Sequence, residues 1–205
     1  MTTTGLDGRV AEGPGGPAVR VSGLRKSYGD HEAVRGIDFE IPHGTVFGLL
    51  GPNGAGKTTI VEILEGYRTR TAGSVEVLGS DPESGASRFR DRIGIVLQES
   101  GIDEDLSVRE AVEIYGAAYS RRRPTDEVVE MVALAEKIDA RISTLSGGQK
   151  RRLDLALGVV GEPDLIFLDE PTTGFDPEAR RRSWELIDRL RGEGKTILLT
   201  THYME

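Results

Sequence analysis

Nine consecutive residues carry the densest chemical signal in the chain: Gly51-Pro52-Asn53-Gly54-Ala55-Gly56-Lys57-Thr58-Thr59. They follow the apolar run Thr45-Val46-Phe47-Gly48-Leu49-Leu50 and lead into a helical pattern over residues 60–64. That strand-to-helix setting gives G-x-x-x-x-G-K-[ST] its meaning as a phosphate loop. A loop wrapped around a polyphosphate turns backbone N–H groups inward and approaches closely, which side chains at Gly51, Gly54 and Gly56 would obstruct. The helix start adds unpaired N–H donors and a partial positive charge. Lys57 supplies a mobile cation for β and γ phosphates, and the Thr58 hydroxyl is placed to coordinate Mg²⁺. The expected ligand is a nucleoside triphosphate.

Such a cradle alone would serve a kinase, a GTPase, a motor or a transporter ATPase. Leu165-Ile166-Phe167-Leu168-Asp169-Glu170 narrows the choice by placing two carboxylates at the C-terminal end of a buried strand, where open α/β sheets bind ligands. Neighbours on a strand point opposite ways, so the two acids take different roles. Asp169 reads as the Mg²⁺ carboxylate, acting through water, and Glu170 as the group that polarises an attacking water. A third segment, Leu145-Ser146-Gly147-Gly148-Gln149, precedes Lys150-Arg151-Arg152 and an apolar helix through Leu153, Ala156, Leu157 and Val160. Ser146 can cap that helix while Gly147 and Gly148 leave its first N–H groups open, making a second phosphate-facing helix start. It has no lysine and metal carboxylate of its own. Two copies packed head to tail, each closing the other's ATP, account for it.

These groups need a scaffold, and the pattern supplies one. Runs at 19–24 and 37–41 read as strands of a small antiparallel N-terminal sheet. The continuous runs at 45–50, 165–168 and 196–199 read as strands covered on both faces. Ser107-Val108-Arg109-Glu110 has capping-box spacing, a second helix follows Pro124, and Arg121-Arg122-Arg123 reads as the solvated connection between them. Asp176-Pro177 opens a helix with Trp184, Ile187 and Leu190 on one face. The expected fold is an α/β, P-loop NTPase core with a mainly parallel sheet and an inserted helical subdomain at about 100–160, in one domain over 19–205 after a flexible tail at 1–18. The 205 residues include no Cys, which excludes thiolate zinc sites and cysteine nucleophiles, and no apolar run is long enough to span a bilayer. A start without the apolar core of a secretory signal leads to an expected cytoplasmic location. The net charge of −8 argues against a broad nucleic-acid-binding face.

Taken together, GPNGAGKTT, LSGGQ and LIFLDE, in that order, resemble the nucleotide-binding domains of ABC transporters. The resemblance implies ATP and Mg²⁺ as cofactors, with nucleotide contacts from residues 51–59 and from Ser146, Gly147, Gly148 and Gln149. It adds residues whose signal is weak when each is taken singly. Tyr28 sits where the family stacks an aromatic ring on adenine. Gln98 matches the loop that touches Mg²⁺ and the attacking water beside the membrane partner. Gly174-Phe175-Asp176 matches the D-loop, with Phe175 where Leu is more usual, and His202 matches the switch histidine on the γ phosphate. The implied catalytic set is Glu170, His202 and Gln98, and the implied metal set is Thr58, Gln98 and Asp169. The phrases VEILEGYR, VLQESG, LDEPTTGFDP and LTTHYME are similar to the ATPase subunits of daunorubicin-resistance-type exporters. That similarity implies a second ATPase subunit and a separate membrane permease docking near 107–134 and Gln98, with the chain peripheral on the cytoplasmic face. It also implies further chain beyond Glu205. The alternative is a soluble ABC ATPase acting on DNA or ribosomes, whose long coiled-coil insertions or second cassette are not seen here.

Overall fold

The computed structural model describes residues 16–52, 54–85, 87–96, 101–170 and 177–201. Strand β1 (Val19–Tyr28) turns at Gly29 into β2 (His31–Ile41), and the two pair antiparallel from Val19↔Ile41 to Tyr28↔His31. Alternation explains the pairing: Val19, Val21 and Leu24 are buried while Arg20, Ser22 and Arg25 face solvent. Strand β3 (Val46–Leu50) enters a second sheet and delivers the chain to helix α1 (Lys57–Leu64). Strand β4 (Ala72–Val77) returns to β1 and completes the antiparallel sheet β2-β1-β4. One helical turn, α2 (Ser87–Arg90), precedes β5 (Ile93–Val96). Helices α3 (Val108–Gly116), α4 (Thr125–Met131) and α5 (Gly147–Val159) follow, and then β6 (Leu165–Asp169), α6 (Pro177–Gly192) and β7 (Thr196–Thr201). The second sheet is parallel, in the order β3-β7-β6-β5. The expected α/β class, with a parallel sheet beside a small antiparallel one, is the observed one. Among the described residues no helix is long and apolar enough to cross a membrane.

The central strands hold the second sheet together. Leu165, Ile166, Phe167 and Leu168 are at most 3% exposed, and Ile197 and Leu198 are fully buried. Each such side chain contributes about 2 kcal/mol of burial free energy. Strand β3 differs from its reading as a strand covered on both faces: Val46, Phe47 and Gly48 are only half-buried. Among the described residues it lies at the sheet edge with β7 as its sole neighbour, and Phe39 stacks on Phe47 at 5.4 Å.

Helix α5 is seated against β5 by two glycines. A Cβ on Gly94 would lie 1.9 Å from the Gly158 carbonyl oxygen, so helix and strand approach at a distance no side chain permits. Helices α3 and α4 pack on α5 through Val108, Ala111, Val112, Val128, Val129, Leu153 and Ala156. The capping box at Ser107 is formed, its Oγ accepting from the Glu110 amide at 3.2 Å and Glu110 Oε2 accepting from the Ser107 amide at 2.8 Å. Two readings are corrected. Arg121 and Arg122 are exposed, but Arg123 is buried, because Glu127 and Glu193 converge on its guanidinium at 2.9 and 2.5 Å. Ile187 and Leu190 face the core, whereas Trp184 is 42% exposed.

Candidate functional site

The loop after β3 gets its shape from glycine backbone. Gly54 has φ 79° and Gly56 has φ 84°, both in the left-handed region. At Gly56 a Cβ would also stand 2.5 Å from the Ala33 carbonyl oxygen, so the loop is pressed against β2. Gly51 lacks a positive φ and is instead crowded by Ala55, 3.3 Å from where its Cβ would be. No side chain caps α1, which leaves its N-terminal end to the cleft. Lys57 begins that helix and is 8% exposed, its Nζ donating to the Gly51 and Pro52 carbonyls at 2.5 and 3.1 Å. The lysine expected to be mobile is thus stowed across its own loop. Thr58 is exposed and Thr59 half-buried beside it. Asn53 lies outside the described residues.

The two carboxylates meet this loop from β6. Asp169 Oδ1 accepts a hydrogen bond from Thr200 Oγ1 at 2.5 Å, and the same hydroxyl oxygen accepts from the Glu170 amide at 3.1 Å. Strand alternation would send Glu170 away from Asp169. Its φ of 47° turns the chain at that residue, and both acids line one cleft with Lys57, Thr58 and Thr59. A left-handed non-glycine residue costs about 1–2 kcal/mol and persists only where its surroundings hold it. The cleft has a volume of about 550 Å³, with Tyr28 also in its lining. Tyr28 is 41% exposed, its ring flanked by Lys26 Nζ at 5.1 Å and the Arg68 guanidinium at 5.4 Å from the centroid.

The LSGGQ segment lies apart from that lining. Ser146 caps α5 by accepting from the Gln149 amide at 3.3 Å, and Gln149 Oε1 accepts from the Ser146 amide at 2.8 Å. The Gln149 side chain is therefore engaged in the cap. Ser146 and Gly147 are exposed, and nothing lies within 4 Å of a Cβ placed on Gly147 or Gly148. Gln98, Gly174, Phe175, Asp176 and His202 lie outside the described residues.

A profile of the ABC transporter family matches residues 34–173, which take in the loop, the LSGGQ helix start and both carboxylates. The chain belongs to the ABC transporter family. This ABC chain is 43% identical over 194 residues to the Nod factor export ATP-binding protein I of Ralstonia nicotianae, covering 92% of the chain and 60% of that protein. It is 44% identical over 193 residues to the daunorubicin resistance ATP-binding protein DrrA3 of Streptomyces coeruleorubidus, covering 92% of the chain and 61% of that protein. The chain therefore spans about 60% of the length of these relatives. A solved ATP-binding cassette, a dimer in a post-hydrolysis state bound to ADP and Pi, superposes with a TM-score of 0.80 at 25% identity, covering 90% of this chain and 88% of that one.

Two residues that hold the 169–170 segment escaped the sequence reading. Thr200 is 1% exposed and joins the Asp169 carboxylate to the Glu170 backbone amide; a hydroxyl within the aliphatic run of β7 was the available signal. Arg151 is 8% exposed and donates through Nη2 to the carbonyls of Asp169 at 2.7 Å and Glu170 at 3.4 Å. Burial lowers its pKa, while the carboxylates of Asp154, Asp169 and Glu170 favour its charge. Glu65, half-buried at the end of α1, was also unremarked. Burial first, then Glu62 and Asp169, push its carboxyl from the ordinary 4.5 up to about 8. Between those values the folded ABC chain keeps a proton that the unfolded chain has released, so stability falls as pH rises through the window. Thermal melts of nucleotide-free Glu65→Gln protein should show Tm falling by several degrees less than wild type from about pH 5 to about pH 8. Parallel Tm–pH curves would remove Glu65 as the source.

Proposed function

We propose that this chain is the ATP-binding and ATP-hydrolysing subunit of an ABC exporter, driving transport through a separate membrane permease. The observation that carries this reading is the convergence of Lys57, Thr58, Asp169 and Glu170 on one cleft. Lys57 and the N–H groups at the start of α1 hold the β and γ phosphates, and Tyr28 offers its ring face to the adenine at the cleft mouth. Thr58 and Asp169 are hard oxygen donors, and among the described residues no cage of three or more His, Asp or Glu side chains surrounds them. That sparse donor set suits Mg²⁺, which keeps waters and takes phosphate oxygens. When bound, Mg²⁺ supplies charge neutralisation at the β and γ oxygens. Glu170 orients the attacking water and takes its proton. Gln98 and His202 are assigned by resemblance to the Mg²⁺ and water and to the γ phosphate.

The exposed, capped start of α5 lies outside this lining, which supports a head-to-tail pair in which Ser146, Gly147 and Gly148 close on the other copy's phosphates. A separate groove of about 830 Å³ between α2 and the end of α3, lined by Arg88, Arg90, Tyr115 and Tyr119 among others, is the surface offered to the permease. Its wall at and just beyond the end of α3, Tyr115 and Ala118 to Ser120, falls within the 107–134 span expected to meet the permease, which supports that use. The chain thereby acts as a peripheral protein on the cytoplasmic face. The export direction, with a drug, antibiotic or lipid-like cargo, follows the relatives named for Nod factor export and daunorubicin resistance.

ATP binding, Mg²⁺-dependent phosphate release and affinity capture from membranes test the reading together. The expected result is turnover with co-purification of an integral membrane protein. Absence of ATP binding would overturn it, as would recovery of ribosomes or DNA without a membrane protein.

A further inference from the structure

Arg151 lies just past the first turn of α5, the helix whose start is the Ser146-Gly147-Gly148 segment, exposed at Ser146 and Gly147. Its Nη1 stands 3.8 Å from Asp154 Oδ2 on its own helix, and both residues are 8% exposed. Its Nη2 reaches across to the carbonyls of Asp169 and Glu170. The Glu170 peptide is thus gripped from two sides: Thr200 of β7 takes its N–H, and Arg151 of α5 takes its C=O. The residue held this way has the left-handed backbone that brings its carboxylate into the cleft. Helix α5 is anchored on β5 near its C-terminal end, at Gly158 against Gly94, and Arg151 projects from the opposite half, nearer the exposed start.

We propose that Arg151 is a positioning residue that ties the start of α5, the surface offered to a second copy's nucleotide, to the aim of this chain's own Glu170 carboxylate. The proposal rests on the reading of Glu170 as the group that activates water. A shift of the α5 start as it closes on phosphate moves the guanidinium, and with it the 169–170 carbonyls. Occupancy of one site is thereby communicated to the carboxylate of the other through the Arg151 side chain. Long-range positioning of this kind is effective because small displacements of a reacting group have large kinetic consequences.

The test compares wild type, Arg151→Lys and Arg151→Met by steady-state ATP turnover and by hydrogen exchange of the 165–170 segment. Lysine keeps a buried cation and so protects folding, but its single ammonium cannot face Asp154 and the two carbonyls at once, as Nη1 and Nη2 of the guanidinium do. The expected result is a kcat lowered about tenfold or more in Arg151→Met, with KM for ATP within about threefold. Arg151→Lys should be intermediate. Exchange at 165–170 should quicken in both variants while the amides of α5 keep their protection. Unchanged turnover and exchange would overturn the proposal. So would a uniform loss of protection together with a raised KM, which marks a merely structural role. If wild type binds ATP without releasing phosphate, the hydrolytic reading fails, and the exchange arm still decides whether Arg151 holds the segment.

Discussion

Glu170→Gln protein should bind ATP with wild-type affinity yet release phosphate at least about 100-fold more slowly, the loss expected when a positioned general base is removed. Glutamine matches glutamate in shape, and its amide group neither attracts a proton nor carries charge. The backbone that positions the residue is untouched: the 3.1 Å bond from its amide to the Thr200 hydroxyl and the reach of the Arg151 guanidinium to its carbonyl use only the main-chain atoms of residue 170. Tm should therefore stay close to wild type, which separates a chemical defect from a folding one. If the chain acts in the proposed head-to-tail pair, stalled hydrolysis should keep that pair closed, and gel filtration in ATP and Mg²⁺ should show a dimer that wild type holds only transiently. An unimpaired ATPase rate would take the base role away from Glu170.

Lys57→Ala should fail earlier, at nucleotide binding. Lys57 is 8% exposed, and its Nζ bonds the Gly51 and Pro52 carbonyls of its own loop. ATP exchanges those carbonyl contacts for charged phosphate oxygens, and charge-assisted hydrogen bonds contribute about 1.5–3 kcal/mol each. Losing them should weaken ATP binding roughly 10- to 100-fold in titration calorimetry. Two effects add to the loss. The cation is removed from a site that gathers phosphate charge, and the loop loses the side chain that closes it on itself. Unchanged affinity would show that the loop amides and the start of α1 suffice to hold the phosphates. The contrast is informative in itself, since Lys57→Ala empties the site while Glu170→Gln keeps it filled and silent.

Legibility tracked the range over which a feature is specified. The Ser107 and Ser146 caps were readable because a capping box needs only residues three apart. The buried runs of β6 and β7 were readable because both faces are covered, leaving no polar interruption to mislead. Strands β4 and β5 went unread: Ala72-Gly73-Ser74-Val75-Glu76-Val77 has little strand character, and Ile93-Gly94-Ile95-Val96 is too short to declare a period. Arg123 was misread for a related reason, because an arginine triplet looks solvated until Glu193, seventy residues on, is brought against it.

The phosphate loop, the two acids and the LSGGQ helix start follow from local spacing, since the backbone shapes they need are set by neighbouring glycines, a lysine and a cap. The working arrangement of the acids does not. Alternation along β6 would separate Asp169 from Glu170, and they share a cleft only because Glu170 adopts a left-handed backbone held by Thr200 and Arg151. Those two residues come from β7 and α5, and the parallel pairing of β6 with β7 and the packing of α5 on β5 bring them there. A residue's type and spacing can announce a carboxylate at a strand end, but its aim depends on contacts between segments distant in the chain, which the fold alone creates.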